Sequence, residues 1–444
     1  MCDAENPGFV ASYAMRRTLG TRRRYPCRSS VDRRVMTYRA PKGTDDILPP
    51  ESAEWLMAER VFLDLAERFG YGLVLTPLFE STELFSRGIG EDTEVVEKQM
   101  YTFQDKGGRS LTLRPEATAS VVRALIQAGG VVGTFKGFYW GPMFRYERPQ
   151  KGRRRQFSQA GIEYLGEISP EADVEVIELG YRYLEEVGVK DVEVQLNSIG
   201  DGTDRSDYRA ELIAFLEARK DDLSEDAVRR IHQNPLRALD SKADAAVVAG
   251  APTPVDHLSG EAAEHFAAVR SGLDAAGIPY TINPTLVRGL DYYNRTVWEY
   301  VPLSFEAAQS SVGGGGRYDS LFEMLGGKAT PSVGLAMGLD RILLARDQSP
   351  VDPVLDAFVI IADPERGVDA RTLVRALRAK GFRADAVAGD RSVKAQFKAA
   401  DRANAAHAFV VGEEWDGGRV MARDLATGDQ QPLAVEEIET WLTR

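Results

Sequence analysis

From Pro50 onward, apolar side chains recur at three- and four-residue steps, with Trp55, Ala58, Phe62, Leu65 and Phe69 in one line. That spacing puts them on one face of a helix, and Gly70 supplies a stop, because glycine adopts the left-handed backbone that closes helices. A short strand, Tyr71 to Leu75, follows and breaks at Pro77. Between about 100 and 165 the pattern changes to the period of two of a mostly antiparallel sheet, with the charged stretch Arg148 to Arg155 joining two strands.

From Gly200 to about Gly277 helical spacing dominates, including Asp207 to Leu216 and Glu261 to Leu273, so this stretch reads as an insertion between sheet elements. Sheet character returns from Thr281 to Leu335, and a helix begins near Gly338. Beyond a linker marked by Ser349, Pro350 and Pro353 comes a β-α-β-α-β series: Ala357 to Ala362, a helix through Leu377, Arg383 to Val387, a helix from Arg391, and His407 to Gly412. The expected architecture is an α+β domain over residues 36–348, with a helical insertion at about 200–277 and an α/β domain over 349–444.

Composition narrows the function. At 444 residues the chain exceeds the size at which one core keeps growing. No apolar run approaches the eighteen or so residues of a membrane span, so no membrane role is expected. A net charge of -12 excludes wholesale coating of nucleic acid, and any RNA contact must be local. Both cysteines, Cys2 and Cys27, fall in the first 35 residues, which leaves the body without a thiol for a disulfide, a zinc cluster or nucleophilic catalysis. The four histidines (His232, His257, His265, His407) lack the i,i+4 spacing of a helical metal site and read as ordinary residues. Residues 1–35 are arginine-rich without periodicity and read as disordered. A transit peptide, to which Asp3 and Glu5 are ill suited, an RNA-binding arm, and an upstream start ahead of Met36 or a dispensable tail are the options, and the last pair is preferred.

Four segments carry chemistry. In Phe144 to Glu163, strand alternation puts Arg145 and Glu147 on one face, and Phe157, Gln159, Gly161 and Glu163 on one face of the next strand. Charges grouped this way demand water or a polar ligand, and Gly161 leaves space among them. The ordinary alternative is a solvated face with cross-strand ion pairs. In Gly334 to Arg341, alternating Gly334, Ala336 and Gly338 leave a bare strand face on which something flat could lie, ahead of a helix with Arg341 in its first turn. Leu286 to Thr296 places Arg288, Tyr292 and Tyr293 beside a flexible glycine. Gly313 to Gly316, followed by Arg317-Tyr318-Asp319, has neither Walker nor Rossmann spacing; a turn and a close approach of backbone to ligand both remain open for it.

Together these segments resemble class II aminoacyl-tRNA synthetases, and within them the histidyl-tRNA synthetase family of subgroup IIa. Phe144 to Glu163 resembles motif 2, Gly334 to Arg341 motif 3, and residues 51–77 motif 1; Leu286 to Thr296 and Gly314 to Asp319 resemble the two histidine-specific peptides. The resemblance runs from about Tyr38 to the C-terminus. It implies the class II catalytic fold, a C-terminal anticodon-binding domain, a cytoplasmic homodimer, and ATP-dependent ligation of histidine to tRNA(His) through a histidyl-adenylate. Mg²⁺ is expected with ATP, and the sequence does not locate its ligands.

By the same resemblance Arg145 and Arg288 are the catalytic arginines, meeting the α-phosphate from opposite sides and touching the histidine carboxylate. Glu147 reads adenine, Phe157 and Arg341 sandwich it, and Arg153 meets the terminal phosphates. Glu116, Thr118 and Gln159 hold the amino group, Glu163 and Tyr293 grip the two imidazole nitrogens, and Tyr292 and Tyr318 line the pocket. Arg148, Gln150 and Lys151 meet the tRNA acceptor end, and Arg391, Lys394 and Lys398, with Arg402, form a basic stripe for the anticodon. Spacing alone would leave that stripe a solvated helix face. Two positions depart from the family pattern: Ala117 replaces a common glycine, and Asp340 a common glutamate.

Overall fold

The computed structural model describes residues 38–443 apart from 91–92, 233–234, 237–242, 305–310, 348–354, 388 and 390. The arginine-rich start, Met36, both cysteines and the Ser349, Pro350 and Pro353 linker lie outside the described residues. Everything below belongs to the unit Lys42–Arg444.

The first helix, Ser52–Arg68, buries Ala58, Phe62 and Leu65 on the face that the spacing indicates, and Gly70 follows it at φ +81°. The strand after it is shorter than the pattern suggests. Only β1 (Gly72–Leu73) pairs, because Leu75 stands 79% exposed with no sheet neighbour to bury it. β2 (Phe79–Ser81), β3 (Tyr101–Gln104) and β4 (Ser110–Leu113) form a separate three-stranded sheet.

A helix over Thr118–Gln127, which the alternating pattern conceals, leads into β5 (Phe135–Phe144) and β6 (Gln156–Leu165), the two strands joined by the charged loop. With β7 (Val192–Ser198), β8 (Tyr280–Ile282), β9 (Asn294–Pro302), β10 (Gly313–Arg317) and β11 (Ser332–Gly338) they build an eight-stranded sheet in the order β1-β5-β6-β11-β10-β9-β7-β8. The six central strands are mutually antiparallel; only β1 and β8 pair in parallel, one at each edge.

Register sorts this sheet into two unlike faces. One line of partners runs Phe138, Ile162, Leu335, Gly315, Trp298, Leu196, and its side chains bury against the helices Ser52–Arg68, Pro170–Val187 and Gly260–Ala276. Each such large apolar side chain contributes about 1.5–3 kcal/mol on burial, so this face anchors the domain. The adjacent lines, one residue along, emerge on the opposite side: Tyr139, Gly161, Ala336, Gly314, Glu299, then Gly137, Glu163, Gly334, Gly316, Val297. Period-two alternation thus separates an oily face from one of glycines and a few polar groups.

The helical stretch between β7 and β8 is not one unit. Helices Gly202–Glu217, Glu225–Arg230 and Ala245–Val248 share a small core around Tyr208, Leu212 and Leu216, whereas Gly260–Ala276 returns to the main core through Phe266, Val269 and Leu273.

The tail contains β12 (Leu355–Ile361), β13 (Ala384–Ala386), β14 (Ala405–Val411), β15 (Arg419–Asp424) and β16 (Gln430–Ala434) in the order β13-β12-β14-β15-β16. The first three are parallel, as a β-α-β-α-β series requires, and the hairpin of β15 and β16 extends the sheet antiparallel. Its second helix, Val393–Arg402, starts two residues after Arg391, because the Ser392 side chain accepts the Ala395 N–H and fixes the cap there.

Candidate active site

The polar face of the sheet carries a site with two ends. At one end two carboxylates are buried together. Glu116, 3% exposed, accepts the Thr118 N–H at 2.7 Å and the Ala119 N–H at 2.9 Å, and so closes the N-terminus of helix Thr118–Gln127. Burial pushes its pKa up, while those two N–H donors and the nearby Arg145 charge oppose the rise.

Glu163, 1% exposed, accepts the Thr118 hydroxyl at 2.8 Å and the Tyr318 hydroxyl in a short contact. No cation pairs with it among the described residues, so burial dominates and lifts its pKa to about 8. Tyr292, Tyr293 and Tyr318 wall this end, with ring centroids 4.6 to 6.3 Å apart. Gln159 lies on the same strand face as Glu163, four residues earlier.

The second end is cationic and less enclosed. Arg145 donates to the Pro115 carbonyl at 2.9 Å and lies 5.3 Å from the Phe157 ring centroid. Arg288 forms a short ion pair with Glu299 across β9. Burial lowers the Arg288 pKa, but Glu299 together with Tyr293 and Tyr292 leaves it raised, whereas burial prevails at Arg145 and Arg341. Arg153 pairs with Glu147 at 3.3 Å. Arg341 donates to the Ser311 carbonyl at 2.8 Å and the Gly152 carbonyl at 3.3 Å. Arg148, Gln150 and Lys151 are exposed in the loop between β5 and β6.

Two readings of the sequence need correction. Arg145 and Glu147 do not share a strand face: β5 ends at Phe144, and Glu147 N–H turns back onto the Arg145 carbonyl at 2.8 Å. They reach one region through the loop, Arg145 toward Pro115 and Glu147 toward Arg153. The glycine run is not a turn but β10 itself, and the other alternative, a close approach of backbone to ligand, stays open.

The vacancies that the glycines leave are filled by the protein's own functional groups. A Cβ on Gly334 would stand 1.9 Å from Glu163 Oε2, one on Gly161 2.2 Å from the Tyr139 ring, one on Gly316 2.6 Å from Tyr293, and one on Gly314 3.0 Å from Arg288. The sheet is bare where reactive side chains must lie flat on it.

Sequence reading missed Tyr139, 3% exposed, whose ring covers Gly161 and whose hydroxyl is buried. Its signal was positional: it stands on β5 directly opposite Gly161. Arg317 was left without a role. Fully buried, it pairs with Asp173 and donates to the Glu167 carbonyl at 3.0 Å, which pins the chain one residue before Tyr318. Asp340, the departure from the family pattern, keeps its charge engaged with Arg154 at 3.1 Å. His265 joins Asp173 at 3.3 Å, a structural role. In the tail, Arg391, Lys394, Lys398 and Arg402 are all exposed.

An antiparallel floor with arginines from the β5–β6 loop, from the segment before β9 and from the helix after β11 defines the catalytic domain of a class II aminoacyl-tRNA synthetase. A sequence model described as histidyl-tRNA synthetase matches residues 43–342, and one described as an anticodon binding domain matches 356–444. A histidine–tRNA ligase of Halothermothrix orenii is 44% identical over 412 residues, 91% of this chain and 98% of that protein. One of Desulforudis audaxviator is 45% identical, covering 92% of this chain and 99% of its own. The crystal structure of apo S. aureus histidyl-tRNA synthetase superposes with a TM-score of 0.73 at 33% identity over 92% of this chain and all of that one. The chain belongs to the histidyl-tRNA synthetase family.

Proposed function

We infer that this protein ligates histidine to tRNA(His) in two steps, with the buried carboxylate end of the site holding the amino acid and the arginine end holding ATP. The observation that carries this reading is that one sheet face bears Glu163 and, at Gly314, lies under Arg288, while Arg145 acts on both Glu116 and Arg288. The first end suits an ammonium and an imidazole, and the second suits a carboxylate and phosphates.

In the first step a histidine carboxylate oxygen bonds to the α-phosphorus of ATP as the bond to the bridging oxygen breaks and pyrophosphate leaves. Two anions must approach, and the forked donors of Arg145 and Arg288 stabilise the charge that builds on the phosphorus oxygens. To do so Arg288 exchanges part of its pairing with Glu299 for phosphate. Glu147 reads adenine between Phe157 and Arg341, and Arg153 meets the terminal phosphates. Glu116, Thr118 and Gln159 hold the α-ammonium. Glu163 and Tyr293 take the imidazole nitrogens, and Tyr292 and Tyr318 shape the pocket around the ring. In the second step a terminal ribose hydroxyl of tRNA attacks the acyl carbon and AMP leaves.

Among the described residues no group of three or more acidic, histidine or cysteine side chains could hold a metal ion, and both carboxylates at the phosphate end are already paired with arginines. The described side chains therefore do not group into a resident metal site. Mg²⁺ would arrive as the counter-ion of the ATP phosphates.

The exposed Arg148, Gln150 and Lys151 meet the acceptor end, and the Arg391, Lys394 and Lys398 stripe meets the anticodon. The enzyme works as a homodimer in the cytoplasm. For dimerisation we note that Leu73, Leu75, Leu78 and Phe79, all in or beside the motif 1 region, are 43 to 79% exposed, an apolar surface that a partner copy would cover. No described helix is long and apolar enough to cross a membrane. A non-catalytic regulatory paralogue would lack the tail and the arginines, and here both are present.

Histidine-dependent ATP–pyrophosphate exchange, run beside a panel of other amino acids, tests the reading: exchange with histidine alone is expected, and exchange with another amino acid or none overturns it. Joint Arg391→Ala and Lys398→Ala replacement should reduce tRNA charging about tenfold or more while exchange persists, as loss of two phosphate contacts would predict. Unchanged charging removes the stripe from the tRNA interface.

A further inference from the structure

The carboxylate end contains more negative charge than a dry pocket tolerates. Glu116 and Glu163 are both buried, and the groups that face Glu163 are Glu116 and Thr118 from the start of one helix, Tyr139 from β5, Tyr292 and Tyr293 from before β9, and Tyr318 from after β10. None is a cation. The guanidinium groups of the adjoining end are engaged elsewhere, Arg145 on the Pro115 carbonyl and Arg288 on Glu299.

The two carboxylates are not equivalent. Both oxygens of Glu116 are held by backbone N–H groups at a helix start, which favours its anion. Glu163 has two hydroxyl partners and no backbone donor, and on its remaining side Gly334 leaves the carboxyl group room. A buried carboxyl group without a cation keeps its proton.

We propose that the pocket takes up histidine together with a single shared proton, held between the Glu163 carboxyl group and the substrate imidazole, so that the empty pocket and the loaded pocket each remain near neutrality around Glu163. This rests on the reading that Glu163 touches the imidazole. Whichever partner carries the proton, one hydrogen bond of the pair is charge-assisted or its neutral equivalent. A side chain of similar shape that cannot share a proton leaves the buried carboxyl group facing an unmatched atom, the arrangement that discriminates most strongly between ligands.

The proton balance makes this measurable. With Glu163 near 8 and free imidazole near 6.5, the separated partners carry about 1.75 protons at about pH 6 and about 0.5 at about pH 8, against one in the complex. Histidine binding to the full-length enzyme, followed by calorimetry in buffers of contrasting ionisation enthalpy, should therefore release about three quarters of a proton at the lower pH and take up about half at the higher. This reversal of sign is the expected result. Release at the lower pH with no uptake at the higher one overturns the proposal, and needs only the wild-type protein.

Glu163→Gln separates the proposal from the reading beneath it. The variant should bind histidine more weakly, match the wild type in proton release at the lower pH, and take up none at the higher. If its histidine affinity equals that of the wild type, Glu163 does not touch the imidazole and the underlying assignment fails. If affinity falls while the wild type shows no sign reversal, the assignment stands and the shared proton is refuted. ATP binding by the variant serves as the check that it is folded.

Discussion

The two ends of the active site are built on one sheet face yet prepared in opposite ways. The histidine end is finished before any ligand arrives: Glu116 is locked onto a helix start, Glu163 onto two hydroxyls, and the tyrosines pack on one another with little freedom. At the phosphate end the arginines are held by interim partners, Arg288 by Glu299, Arg153 by Glu147, and Arg145 and Arg341 by carbonyl oxygens. The contrast follows from what each end must do. A small ligand is told from its competitors by rigid, fully matched polar groups. A reaction in which charge moves is helped by donors that engage more strongly as it proceeds.

The largest effect should come from the phosphate end. Arg288→Ala is expected to lower the rate of histidyl-adenylate formation about 10²- to 10³-fold, as removal of one donor to a developing anion does elsewhere. Histidine affinity should change far less. ATP–pyrophosphate exchange beside calorimetry checks this, and equal losses in both would erase the distinction between the ends.

A smaller effect is expected from crowding the histidine end. A methyl group at Gly334 would collide with the Glu163 carboxyl group at 1.9 Å. Gly334→Ala should raise the KM for histidine about 5- to 150-fold, the equivalent of the 1–3 kcal/mol typical of overpacking, with the KM for ATP nearly unchanged. A rise confined to ATP would mean that the bare strand face belongs to the other end.

The last effect is on stability rather than on the reaction. Glu163 has its pKa raised from 4.5 to about 8 on folding, so the native state binds more protons than the unfolded chain between those values. Its contribution is therefore retained at low pH and lost as pH rises through that window, by up to about 1.4 kcal/mol per pH unit. Glu163→Gln lacks this loss. Its stability relative to the wild type should improve steadily from about pH 5 to about pH 8 and then level off, read from urea midpoints. Parallel curves would mean that Glu163 is already ionised, and that the histidine end is less dry than its burial indicates.

Much of the site was legible because its residues sit in short contiguous runs. Arg145, Glu147, Arg153 and Phe157 occupy one such run, Arg288, Tyr292 and Tyr293 another, and period-two alternation from Phe157 to Glu163 survives in β6. The alternation argument failed at Arg145 and Glu147 because strand pairing stops at Phe144, and periodicity says nothing about where a ladder ends. The helix Thr118–Gln127 was hidden for a related reason. Its residues are buried over most of its first half, and a helix covered on several sides has no clear polar stripe to reveal its period. Tyr139 carried no local signal, since an aromatic residue in a strand ordinarily packs in a core.

By itself the sequence determined the chemical inventory and its grouping: arginines, carboxylates and tyrosines in short runs, and glycines wherever the sheet had to be bare. These are local properties, set by side-chain chemistry and by the period of a strand. Which groups would occupy the bare positions was decided only by the tertiary structure. Gly161 faces Tyr139, Gly334 faces Glu163 and Gly314 lies under Arg288, because antiparallel register and long-range packing place partners tens or hundreds of residues apart within van der Waals contact. A vacancy is visible along one strand, but its occupant comes from another.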